Sequence, residues 1–214
     1  MTLKKRLIRT FILSLVGLAI GAFIAWIQIQ DQQSSGDIDI SSAPVSQAVK
    51  GIALDGRFEL VNDQGVTVTQ ADYDGQYKLI YFGFTYCPAI CPTELQKISQ
   101  VMNALDERKA QKIQPLFITV DPERDTVEVM HDYVGMFHPD LVGLTGTPAQ
   151  IDRVKQGFKV FSTKVQSEDA TDYSVDHSSF IYFMNPDNQV ISIYRIQDDV
   201  DMITADIVRH LTQS

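Results

Sequence analysis

The chain has 214 residues, a formal net charge of −9, 44% hydrophobic and 21% charged residues, and two cysteines. These values exclude a wholly disordered, collagen-like or disulfide-dense chain, and two cysteines cannot build a Cys-rich zinc module. The charge is uneven: residues 1–10 hold Lys4, Lys5, Arg6 and Arg9 and no acid, whereas the rest holds 14 Lys+Arg against 27 Asp+Glu, which argues against nucleic acid as a partner.

Residues 11–29 read FILSLVGLAIGAFIAWIQI. With Thr10 and Gln30 they form an uncharged run of 21 residues, and a helix of that length spans roughly 30 Å, a bilayer core. The expectation is a cytoplasmic tip at 1–10, an uncleaved transmembrane anchor at 11–29 and an exported body. A cleavable signal peptide is the competing reading. Its apolar core is usually about 7–15 residues, and no A-x-A site follows this run. Residues 30–50, polar and rich in Ser and Gln, read as a flexible linker, which leaves 51–214 as one domain.

The body begins with a hairpin: Phe58–Val61, the turn Asn62-Asp63-Gln64-Gly65, then Val66–Thr69. Lys78–Phe84 is a mostly apolar run suited to a strand buried on both faces. Pro92–Arg108 has helical periodicity, with Leu95, Ile98, Val101, Met102 and Leu105 on one side. A strand is expected at Ile113–Val120, a helix at Thr126–Phe137, a short strand at Leu141–Leu144 and a helix at Pro148–Phe158. Lys159–Val165, Ser179–Met184 and Val190–Arg195 read as strands, the last two forming a hairpin, and Val200–Leu211 as a closing helix. Strands alternating with helices imply an α/β fold with a central mixed β-sheet, compatible with a thioredoxin-like core that carries an amino-terminal β-hairpin.

Both cysteines lie in Thr85-Tyr-Cys87-Pro-Ala-Ile-Cys91-Pro-Thr-Glu94, where a buried strand gives way to a helix. A helix amino-terminus favours thiolate over thiol. Pro92 suits a first turn that needs no N–H. A structural disulfide would close only a very short loop, worth ~2 kcal/mol. Redox chemistry and metal binding both remain open. Three intervening residues still permit oxidation and also open a bite for Cu(I) or zinc. A third ligand would be needed. His131, His138 and His210 fall in or at the ends of helix patterns, whereas His177 lies in the polar segment Tyr173-Ser-Val-Asp-His177-Ser-Ser, read as a loop entering a strand. The competing role for His177 is a hydrogen bond to Asp176 or Ser178. Asp121-Pro-Glu-Arg-Asp125-Thr126 follows a strand, so Asp121 could approach the cysteine loop, and Asp125 or Thr126 could cap the next helix.

Three segments together resemble the Sco/SenC family of copper-binding, thioredoxin-like proteins of cytochrome c oxidase assembly. They are Gly83-Phe-Thr-Tyr-Cys87-Pro-Ala-Ile-Cys91-Pro92, Phe117-Ile-Thr-Val-Asp121-Pro-Glu-Arg-Asp125-Thr126 and Tyr173-Ser-Val-Asp176-His177-Ser. The resemblance implies one copper ion, Cu(I) or Cu(II), held by Cys87, Cys91 and His177. It makes Asp121 and Asp176 residues that support the ligands from behind or face a partner. It implies a membrane-anchored metallochaperone that delivers copper to the dicopper site of cytochrome c oxidase. Its partners would be the oxidase's copper-site subunit and other periplasmic copper chaperones or thiol reductants. A Cys87–Cys91 disulfide belongs to the same picture, and a thiol–disulfide reductase is the alternative function. The short tip suits the bacterial inner membrane with a periplasmic domain; the alternative location is the mitochondrial inner membrane.

Overall fold

The structure, a computed structural model, describes residues 54–166 and 172–212. The expected tip, anchor and linker, and residues 51–53 of the expected domain, therefore lie outside the described residues. Among the described residues no helix is long and apolar enough to cross a membrane.

Among the described residues, nine strands and five α-helices follow in chain order. They are β1 (Glu59–Asn62), β2 (Thr67–Thr69), β3 (Tyr77–Gly83), α1 (Ile90–Ala104), α2 (Glu107–Ala110), β4 (Ile113–Thr119), α3 (Val127–Val134), β5 (Val142–Thr145), α4 (Pro148–Phe158), β6 (Ser162–Gln166), β7 (Tyr173–His177), β8 (Phe180–Met184), β9 (Val190–Arg195) and α5 (Val200–Thr212). Seven strands form one sheet in the order β2-β1-β5-β4-β3-β8-β9. β3, β4 and β5 run parallel, and the hairpins β1–β2 and β8–β9 add antiparallel edges. The mixed sheet expected from the sequence is present.

β3 is buried at all seven positions. Neighbouring residues point to opposite faces of a strand, so β3 packs on both sides. Phe82 meets Phe158 of α4 with ring centroids 5.2 Å apart. Tyr81 turns to the other face, where it stacks on Phe117 at 6.2 Å, and Phe117 meets Tyr133 of α3 at 5.6 Å. The stripe Cys91, Leu95, Ile98 and Met102 buries α1 on the same face as Tyr81, with α5 beside it. The first turn forms as expected because Asn62 Oδ1 accepts from the N–H groups of Gln64 and Val66, and Gly65 takes φ 79°.

The helix expected to run to Phe137 ends at Val134, and three further departures from the sequence reading have a local reason. α1 ends at Ala104 rather than Arg108, because the Asp106 carboxylate accepts from Lys109 N–H at 3.0 Å and starts a separate short helix. The strand expected at Lys159–Val165 begins at Ser162: Lys159 adopts a left-handed conformation (φ 57°) that closes α4. The loop expected around His177 is a strand, β7, paired antiparallel with β6 in a ribbon separate from the main sheet. Its alternation, Ser174 and Asp176 exposed and Val175 buried, has one strong apolar residue, so the polar composition hid it.

Candidate metal centre

The cysteine segment is the crossover from β3 into α1. Ala89, at the N-cap position of α1, makes no side-chain capping bond. The Cys87 sulfur takes that place and accepts from Cys91 N–H at 3.4 Å. Both cysteines are free thiols, Cys91 fully buried and Cys87 partly exposed. They differ sharply in acidity. The Cys91 thiol beside Cys87, with the N–H groups of Cys91, Ala89 and Ile90, outweighs burial and draws the Cys87 thiol down to about 5. Cys91, donating toward that sulfur and buried, is pushed up. At neutral pH the pair is one thiolate and one thiol.

That split predicts an alkylation profile. An acid group lowered this far stays ionised down to its folded value, so Cys87 should react with iodoacetamide at a rate that flattens above about pH 6 and falls toward pH 5. Cys91 should stay unmodified. A single midpoint near pH 8–9, the free-thiol value, would contradict the arrangement.

His177, at the end of β7, reaches the same spot. Its Nε2 is 3.5 Å from Cys91 Sγ, and its Nδ1 is 3.1 Å from the Ser178 carbonyl oxygen. A proton on Nδ1 donated to that carbonyl leaves the Nε2 lone pair facing the sulfur, the tautomer a metal requires. The rings of Phe84 and Tyr81 hold the imidazole edge-on at 5.7 and 6.3 Å. The Tyr81 hydroxyl donates to Cys91 Sγ at 3.8 Å.

Two thiols and an imidazole suit a soft metal ion. Donors held about 2.0–2.3 Å from one ion stand roughly 3.5 Å apart, which is the Cys91–His177 separation. The third donor, Cys87 Sγ, lies at the helix amino-terminus, where it accepts from Cys91 N–H. Among the described residues no group of three or more His, Cys, Asp or Glu side chains stands in ready-made ion-holding geometry. The donor set fits a copper ion in chemistry.

Gly83 makes this packing possible. A Cβ there would lie 2.8 Å from Cys91 Sγ, 2.9 Å from Phe117 Cε2 and 3.0 Å from Tyr81 Cε1. Gly83→Ala should destabilise by about 1–3 kcal/mol through overpacking, read as a lowered urea midpoint. It should also displace Cys91 and weaken metal affinity. An unchanged midpoint would contradict the close approach.

The two acidic candidates are placed differently from one another. The Asp121 side chain is 0% exposed. It accepts from Arg124 Nε and, at 2.8 Å, from the Tyr173 hydroxyl. Arg124 also donates to the Tyr173 carbonyl oxygen at 2.8 Å and pairs with Asp172. Its guanidinium lies 3.7 Å from the Tyr173 ring centroid and 4.7 Å from that of Tyr86. Asp121 thus ties the end of β4 to the start of β7, the strand that carries His177. Asp176 is exposed next to buried Val175, on the face of β7 away from His177; the imidazole bonds to Ser178 instead. Thr126 caps α3 through Val129 N–H, whereas Asp125 is fully buried. Asp125 accepts from Thr85 N–H and Oγ1 at 3.1 and 2.6 Å and from Thr119 Oγ1. It holds the cysteine loop to β4, a role the capping alternative concealed.

Residues 46–212 match the SCO1/SenC family. The chain is 39% identical to "Protein SCO1 homolog 1, mitochondrial" of Arabidopsis thaliana over 86% of its length and 55% of that protein. It is 40% identical to the bovine "Protein SCO2 homolog, mitochondrial" over 95% of its length and 75% of that protein. It thus spans little more than half of the plant relative. In structure it resembles Arabidopsis thaliana ScoI, solved with copper bound, with a TM-score of 0.71 at 42% identity, covering 76% of this chain and all of that one. The protein therefore belongs to the SCO1/SenC family and has a thioredoxin-like fold.

Proposed function

We propose that the protein is a copper metallochaperone that binds one copper ion through Cys87, Cys91 and His177 and passes it to the dicopper site of cytochrome c oxidase. The observation that carries this is the convergence of a depressed thiolate, a buried thiol and an imidazole nitrogen within 3.5 Å of that thiol. Arabidopsis ScoI, alike in fold and sequence, is a copper-bound protein. Only the dithiol form can take the metal, so a Cys87–Cys91 disulfide must be reduced first. Three protein ligands leave a position open for an incoming ligand from the recipient. The recipient would be the oxidase's copper-site subunit, with other copper chaperones and thiol reductants acting upstream.

Residues 11–29 would anchor this domain in a membrane, with the cationic tip on the opposite side. In a bacterial inner membrane the domain would be periplasmic. The mitochondrial names of both relatives support the alternative, the mitochondrial inner membrane.

The second reading, a thiol–disulfide reductase acting on oxidase cysteines, draws on the same lowered Cys87 thiol. Copper titration of the reduced protein, run beside an insulin-reduction assay, separates the two. The chaperone reading expects one tightly held copper, weakened in His177→Ala, and no cysteine-dependent turnover. Turnover that survives His177→Ala, with no tight copper, would favour the reductase.

A further inference from the structure

Two of the three donors ride on segments that share no sheet. Cys87 follows β3 of the main sheet, whereas His177 ends β7 in the separate β6–β7 ribbon. The cysteine segment is fastened to the end of β4 through Thr85 and Asp125, and the ribbon through Tyr173 and Asp121. Arg124 touches both. Its guanidinium lies 3.7 Å from the ring centroid of Tyr173 at the start of β7, 4.7 Å from that of Tyr86 and 5.9 Å from that of Phe84. Tyr86 is the residue before Cys87, and it is 58% exposed. Burial alone therefore does not hold that ring, and the contact with the guanidinium does. Arg124 is itself fixed by Asp121, Asp172 and the Tyr173 carbonyl oxygen. It offers the Tyr86 ring a stationary cation.

Resting on the copper reading above, we infer that Tyr86 is a positioning residue: its ring, stacked on Arg124, clamps the Cys87 segment to the ribbon that carries His177 and so slows the release of copper. An ion shared by two donors escapes only after each has let go. A donor whose carrier stays in place meets the ion again at high effective concentration. Once the carriers drift apart that return is lost. The clamp thus acts on the rate of release, and Tyr86 contributes no donor atom to the metal.

Three substitutions in the full-length protein test this. Tyr86→Phe and Tyr86→Trp keep an aromatic face for Arg124, whereas Tyr86→Leu keeps bulk and removes the face. Transfer of Cu(I) to the chelator bathocuproine disulfonate should run about two- to fivefold faster in Tyr86→Leu, the scale of an exposed cation–π contact. It should stay at or below the unsubstituted rate in the two aromatic variants. In the metal-free protein, amide hydrogen exchange in the β6–β7 ribbon should quicken in Tyr86→Leu alone. Unchanged transfer in Tyr86→Leu, or equal acceleration in all three variants, would overturn this inference and leave the copper reading standing. Faster transfer beside unchanged ribbon exchange would also overturn it, because the ring would then not act through the ribbon. An unsubstituted protein that takes up no copper would overturn the copper reading and this role with it.

Discussion

Arg124→Ala should cost about 3–5 kcal/mol of unfolding free energy, the range for removing one partner of a buried ion pair. The reason is what stays behind. Asp121, with a side chain 0% exposed, would keep only the Tyr173 hydroxyl against its charge. The same change strips a guanidinium from between the rings of Tyr173 and Tyr86, worth about 1 kcal/mol more. Arg124→Lys should recover only part of the loss, because an ammonium cannot reach Asp121 and the Tyr173 carbonyl together as a planar fork does. Urea denaturation measures both variants. The effect should also reach the metal site: β7 is held at Tyr173 and carries His177 at its other end. Copper affinity should therefore fall in Arg124→Ala although no donor atom is removed. Stability within about 1 kcal/mol of the unsubstituted protein would show that this pair does not anchor the ribbon.

Cys91→Ser should lower copper affinity by more than about 100-fold, since loss of even an outer partner of a metal ligand costs 10–100-fold. Serine keeps the shape of the buried position but offers a hard oxygen where the ion prefers sulfur. The substitution should also raise the Cys87 value from about 5, because the Cys91 thiol is the largest cause of its depression. Alkylation of Cys87 at pH 6 should slow accordingly. A Cys91→Ser protein with copper affinity near normal would exclude the buried thiol from the site.

Much of this centre was legible in the sequence, and the parts that were not share a physical cause. Cys87 and Cys91 announce themselves by the strand-to-helix crossover and Pro92, and the crossover is where it was expected, with α1 beginning at Ile90. His177 was legible as the one histidine outside a helix pattern. Its setting was misread, because a two-stranded ribbon off the main sheet needs only Val175 for its buried face. Asp121 and Asp125 read as loop acids. Only three-dimensional packing reveals that Asp121 meets Arg124 and Tyr173, and that Asp125 holds Thr85 and Thr119. Partners 40 or 52 positions apart leave no local periodicity to read. The exposed part of the cysteine loop is Tyr86, Pro88, Ala89 and Ile90, which carries no charge.

The most direct test of the whole account is the copper content and absorption spectrum of the protein purified and loaded under reducing conditions. One copper per chain with a strong thiolate-to-Cu(II) band, abolished by Cys87→Ser and altered by His177→Ala, is the predicted result. Copper held without a thiolate band, or a band untouched by Cys87→Ser, would contradict a centre built from these residues.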